Sequence, residues 1–243
     1  MKAVILAGGK GTRGRPFTDF FPKAMIPVNG KPLIDVIVNY ISSFDFIDQT
    51  IIVSDFTGLG SQIKHYFEGK NDSKKIKFVQ DSGNGTGGDL LYVSKFLKNT
   101  PEFVLWFVDN LCAIDIKKMS KFFKEKKSLA CIATRIYRKE ETGFATVKDG
   151  IISNFIEKPL VKLKDQECLG VYILKTKILE EIKKKSKSKK QINLSFDILE
   201  KLSKKKLVCA YDIGNRPWID VESPAILERN KKTVNQIIQQ MKK

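Results

Sequence analysis

Apolar residues along this chain fall into two alternating rhythms. Residues 2–6 form a short, nearly unbroken apolar run that reads as a strand buried on both faces. Residues 33–44 carry helical periodicity, and 50–54 read as a strand again. The alternation continues with a helical pattern at 58–67, a strand at 76–80 and a helix at 87–97. Residues 103–108 are apolar throughout and give the clearest central strand. Residues 116–126 place Met119, Phe122 and Phe123 on one helical face, and 128–134 follow as a strand. Strands alternating with helices in this way imply βαβ units and a parallel sheet.

Beyond about residue 135 the rhythm shortens. Strand patterns at 144–147, 151–155 and 169–174 imply a small α+β extension on the C-terminal edge of the sheet. Residues 183–190 are a Lys/Ser run without an apolar anchor, read as a mobile loop. Ser223 is a plausible N-cap for a closing helix that runs to Met241. No internal repeat is evident, so the expectation is one domain over 1–243, with an α/β core at 1–135 and a second portion at 136–243.

Composition narrows the class. A 42% hydrophobic and 29% charged chain is that of an ordinary globular protein, and no apolar run approaches the ~20 residues of a bilayer span. Residues 3–7 are too short for a signal-peptide core, so no leader is expected. Cys112, Cys131, Cys168 and Cys209 show no close spacing, which argues against a zinc site or disulfide framework and for a reducing cytoplasm. The net charge of +17 raises the question of nucleic acid. The excess is nearly all Lys, spread over helix faces such as Lys117, Lys118, Lys121 and Lys124. Solvated faces are therefore the preferred reading, with anionic small molecules also favoured by the field.

The glycines after the first strand carry the chemistry. Gly9, Gly11 and Gly14 satisfy G-x-G-x-x-G, but the dinucleotide fingerprint needs a helix to begin within the motif. Pro16, Pro22, Pro27 and Pro32 forbid a continuous helix before about residue 32, and no Gly-Lys-Ser/Thr completes a Walker loop. An open phosphate loop remains. Gly8, Gly9 and Gly11 let backbone N–H groups approach a ligand, Arg13 supplies a planar cation, and Lys23 a second charge.

The stretch 6–33, LAGGKGTRGRPFTDFFPKAMIPVNGKPL, closely resembles the signature of the sugar-phosphate nucleotidyltransferase family. Later pieces fall in that family's order: QDSGNGTGG at 80–88 resembles the base-binding segment, and Phe107-Val108-Asp109-Asn110 its Gly-Asp strand end. Glu157-Lys158-Pro159 resembles its Glu-Lys-Pro motif and Trp218-Ile219-Asp220 its Trp-x-Asp. Departures stand at Gly14 (commonly Leu), Val108 (Gly), Thr142 before Gly143 (often Tyr), Cys168 (Asn) and Val221-Glu222-Ser223 (Ile-Gly-Thr). The departures from Val108 onward bear on the sugar half of the site.

The resemblance implies a Rossmann-like fold with a mixed, mostly parallel sheet flanked by helices. It also implies Mg²⁺-dependent transfer of a nucleoside monophosphate from a nucleoside triphosphate to a hexose or heptose 1-phosphate. Leu6, Ala7, Gly8, Gly9, Gly11, Thr12, Arg13, Gln80, Gly85 and Thr86 would hold the nucleotide, with Gln80 and Gly85 at the base edge. Arg13, Lys23 and Asp109 would be catalytic, and Asp109 and Asp220 would hold the metal. Gly143, Glu157, Lys158 and Gly170 would hold the sugar phosphate. Gln80 suits a pyrimidine, while Gly85-Thr86-Gly87-Gly88 looks more like guanylyltransferases; both readings stay open. The single His65 sits in a helical pattern and offers no general base. A non-catalytic module of the same fold is the alternative. With the chain ending at Lys243, no C-terminal acyltransferase repeat is expected, and homo-oligomerisation stays open.

Overall fold

The computed structural model describes residues 1–9, 11–70 and 75–242. The chain begins with β1 (Lys2–Leu6), whose alternate side chains serve two cores: Ala3 and Ile5 enter one apolar cluster, Val4 and Leu6 the other. After the glycine loop and a two-residue hairpin, β2 (Pro27–Val28) and β3 (Lys31–Pro32), Pro32 stands at the N-cap of α1 (Leu33–Ser42). Then come β4 (Gln49–Ser54), α2 (Ser61–Phe67), β5 (Ile76–Gln80) and α3 (Gly85–Val93). β6 (Glu102–Phe107) is buried almost throughout and is followed by β7 (Asn110–Cys112) and α4 (Ile116–Lys124), whose N-cap Asp115 accepts from Lys118 N. β1, β4, β5, β6 and α1 to α4 overlap their expected positions, with α1, α3 and α4 ending two to four residues short of their apolar patterns; β2, β3 and β7 are not among the expected elements.

The second portion holds β8 (Ala130–Lys139), β9 (Phe144–Lys148), β10 (Ile151–Ile156) and β11 (Leu160–Lys175). α5 (Ile178–Ser186), a π-helical turn at Leu194–Leu199, α6 (Glu200–Lys204), β12 (Val208–Asp212) and β13 (Trp218–Asp220) follow. α7 (Pro224–Arg229) and α8 (Lys231–Met241) close it. The seven-stranded sheet runs β12-β8-β11-β6-β1-β4-β5. β11 alone is antiparallel to its neighbours, so the sheet is mixed and mostly parallel, with helices on both faces.

Three expectations are corrected. The extension expected beyond 135 comprises the β9–β10 hairpin and the outer halves of β8 and β11. The inner half of β11, with Val171, Ile173 and Leu174 fully buried, lies inside the main sheet between β6 and β8. The Lys/Ser run is not wholly a loop: Lys183–Ser186 complete α5, which Ile178 and Ile182 anchor in the core, and Lys189 Nζ sits 2.8 Å from Asp197 Oδ2. Buried isoleucines one turn upstream outweigh the charge density of the run. The closing helix is two helices broken at Asn230, because Leu227 and then Val234, Ile237 and Ile238 must each reach the core. No described helix is long and apolar enough to cross a membrane.

Candidate active site

Three strand ends supply the site, with a fourth, β4, between two of them. β1, β4, β5 and β6 are mutually parallel, so their carboxyl ends lie on one side of the sheet, where open α/β sheets take ligands. The ladder persists just past them: Ala7 N donates to Val53 O, Val108 N to Leu6 O and Asp81 N to Ser54 O. The segments leaving β1, β5 and β6 enclose a cleft of about 510 Å³.

The glycine loop forms its first wall. Gly11 adopts φ +62° at the start of a 3₁₀ turn, a left-handed conformation that glycine takes without cost. Thr18 Oγ1 donates to Gly11 O at 2.6 Å and Gly14 N to the same oxygen at 2.8 Å, so the loop curls on itself. A side chain at Gly14 would meet Glu222 O at 2.9 Å, which explains glycine where Leu is common. Arg13 leaves this turn and forms an ion pair with Glu222, one of the departures noted above. Lys23, nearly buried, places its Nζ 3.1 Å from Asp109 Oδ2.

Ten of the eleven residues expected at the nucleotide, counting Lys23, line this cleft; Gln80 does not. Its Oε1 accepts from Phe56 N at 2.9 Å and its Nε2 donates to Asp55 Oδ1 at 3.0 Å, outside the lining. Asp81 and Asp89 line the cleft instead. Successive residues leaving a strand point to opposite sides, and the sequence gives no sign of which of Gln80 and Asp81 faces in. Burial, then the charges of Asp89 and Asp55, push the Asp81 carboxyl above its usual range. Asp89 Oδ1 accepts from Ser82 N at 2.8 Å and Ser82 Oγ at 2.7 Å, closing the turn that leads into α3.

Asp109 and Asp220 are brought together by the β7–β13 ribbon, in which Asp220 pairs with Asn110, and by Val221 N donating to Asp109 O at 2.7 Å. Asn110, buried and absent from the expected site, is the hub. Its Nδ2 donates to Asp109 Oδ1 at 2.8 Å, and its Oδ1 accepts from Gly170 N at 2.7 Å and Trp218 Nε1 at 2.8 Å. Gly170 packs so closely on this amide that no side chain would fit. Asp220 Oδ1 is buried with no hydrogen-bond partner among the described residues. Burial first and the Asp109 charge second push its carboxyl up, with Lys23 and Arg13 opposing.

On the other side of Asp220 a cleft of about 830 Å³ is lined by Lys158, Trp218, Arg135 and residues of α7 and α8. Arg135 stacks over the Trp218 ring at 4.5 Å and pairs with Glu167 at 2.7 Å. Lys158 stands at the exit of the β9–β10 hairpin with φ +49°, a strained conformation for a residue with a side chain. Gly143 lies under the Phe155 ring and the Glu157 carboxylate, where a Cβ would collide with both. Gly143, Glu157 and Gly170 do not line this cleft, whereas Lys158 and Asp220 do.

Residues 2–236 match the family model described as Nucleotidyl transferase. A UTP–glucose-1-phosphate uridylyltransferase of Synechocystis sp. is 30% identical over 240 residues, covering 91% of this chain and 60% of that protein. A mannose-1-phosphate guanyltransferase of Yarrowia lipolytica is 27% identical over 229 residues, covering 92% of this chain and 61% of that protein. The chain thus spans about 60% of the length of these curated relatives. In fold it is similar to a UDP-glucose pyrophosphorylase solved with UDP-glucose, with TM-score 0.66, 21% identity, and 99% and 97% of the two chains covered. HddC from Yersinia pseudotuberculosis also gives TM-score 0.66, at 21% identity with 97% and 98% covered.

Proposed function

Because the chain belongs to the nucleotidyl transferase family, we propose that it transfers a nucleoside monophosphate from a nucleoside triphosphate to a hexose or heptose 1-phosphate. An oxygen of the acceptor phosphate attacks the α-phosphorus, the new P–O bond forms in line with the α–β bridge that breaks, and pyrophosphate leaves with the bridging oxygen. The attacking phosphate is already anionic, so the reaction needs positioning and charge neutralisation more than a base.

The observation that carries this reading is the Asp109–Asp220 pair between the two clefts. A buried carboxylate oxygen without a partner, held beside a second carboxylate, is an arrangement that a cation relieves. Mg²⁺ takes one or two carboxylates and completes its shell with phosphate oxygens and water, so these two residues fit it, and no third ligand is required. When bound, the ion would neutralise charge between the reacting phosphates. Asn110 orients Asp109, and Lys23 balances its charge in the free protein. Arg13 would turn from Glu222 toward the triphosphate, exchanging one anionic partner for another. Lys158, whose strained backbone aims it from the hairpin exit, would hold the acceptor phosphate.

Pyrophosphate release tests the reading across a grid of common nucleoside triphosphates and sugar 1-phosphates, with and without Mg²⁺. Release is expected only with all three components together. No release anywhere on the grid, with nucleotide still bound, would favour a non-catalytic module.

A further inference from the structure

Resting on the nucleotidyl-transfer reading, the charge pattern of the glycine cleft bears on which base it takes. Its two cations lie toward one end, each paired with an acid there. Lys23 reaches Asp109 just after β6, and Arg13 reaches Glu222 just beyond β13. Asp81 stands after β5, separated from β6 by β1 and β4. Three strand spacings put these ends roughly 14 Å apart, the scale of a nucleotide laid along the cleft. The triphosphate belongs at the cationic end, which leaves the base at Asp81.

Gly8, Gly83 and Gly85 line the cleft there without side chains, and Asp81 packs close to the loop, since a Cβ on Gly8 would come within 3.0 Å of its Oδ2. Asp81 is lightly held: Oδ1 receives a long 3.5 Å contact from Gln80 Nε2, and the Gly83 backbone N–H also leans on the carboxylate. The other acid nearby, Asp89, is committed to Ser82. The amide that could pair with a pyrimidine is also committed, since both ends of Gln80 are held by Phe56 and Asp55.

A carboxylate offers two acceptors side by side and no donor. Guanine presents N1–H beside its N2 amino group, two adjacent donors. Uracil and thymine present one N–H between two carbonyl oxygens, which a carboxylate repels. Cytosine and adenine each present one amino group next to a ring-nitrogen acceptor. From this complementarity we infer that Asp81 is the base-reading residue and that the nucleotide is GTP. The crowding of Asp81 by burial and by two other acids adds to the case, because two donors from a base would relieve it.

Two measurements test this. The first is the nucleotide specificity of pyrophosphate release by the protein and by Asp81→Asn, which keeps the shape but replaces one acceptor by a donor. GTP is expected to lead, and the substitution to lower its kcat/KM by roughly ten- to a hundred-fold relative to UTP, the worth of a bidentate base contact. UTP, dTTP, CTP or ATP leading in the unsubstituted protein would overturn the inference while leaving nucleotidyl transfer standing. An unchanged GTP preference in the variant would overturn the role of Asp81. The second is calorimetric binding of GDP and UDP, which needs no turnover. Tighter GDP binding supports the inference even if no sugar phosphate is accepted; equal, reversed or absent binding overturns it.

Discussion

Asp220 holds the least comfortable charge in the site. Its carboxyl is raised by burial and by Asp109, and a carboxyl with a folded-state pKa above its unfolded value binds protons more tightly in the fold. Its contribution to stability is therefore most favourable at low pH and falls as pH rises from the ordinary aspartate range through the raised value. Asp220→Asn removes that charge. At pH 7 without metal the variant is expected to melt above the parent, with the difference shrinking toward pH 4, as thermal denaturation across pH would register. The same variant is expected to lose any Mg²⁺-dependent rise in Tm and to turn over at least a hundred-fold more slowly. A parent whose Tm ignores Mg²⁺ would remove Asp220 from the metal. At this scale the sequence picked out residues that the fold gathers into one cleft: the glycine loop, Arg13, Lys23, Thr86 and Asp109. Gln80 and Asp81 could not be sorted, because a one-residue difference at a strand exit reverses which side chain faces in.

Among the elements, the β7–β13 ribbon is the smallest and the most consequential. Six residues place Asp220 opposite Asn110, next to Asp109, and Asn110 then ties in Gly170 of β11 and the Trp218 indole. Asn110→Ala would leave the Trp218 N–H and the Gly170 N–H, both half-buried, without their partner. A stability loss of about 3 kcal/mol is expected in urea titration, given ~1–3 kcal/mol per orphaned donor, together with lower turnover from a disoriented Asp109. Unchanged stability would mean that other groups hold the ribbon. Neither β7 nor β13 was expected from the sequence, since two three-residue segments carry too little periodicity to register. The long β8 and β11 were seen only by their apolar inner halves. Their outer halves are largely exposed, with no apolar run to mark them, and are fixed by pairing with each other.

For the whole molecule, the charge of +17 is the dominant field. It should raise the local concentration of anionic substrates and be screened as the Debye length shortens from about 10 Å at 0.1 M salt to 3 Å at 1 M. Raising NaCl over that range is expected to increase KM for triphosphate and sugar phosphate several-fold while kcat changes little. A salt-independent KM, with nucleic acid competing strongly at low salt, would assign the charge to another partner. The fold class was readable because buried parallel strands must be apolar and the helices between them amphipathic, a pattern any such sheet imposes. The glycine loop was readable because close backbone approach to a ligand admits few residue types.

What the linear sequence determined by itself was the order of strands and helices and the residues able to meet a phosphate. The tertiary structure alone decided that β11 enters the sheet between β6 and β8, that Asp220 meets Asp109, that Glu222 holds Arg13, and that Asp81 faces the cleft where Gln80 was expected. The first set follows from local periodicity and backbone sterics. The second depends on contacts between residues far apart in the chain, whose pairing is set by how two cores pack against one sheet.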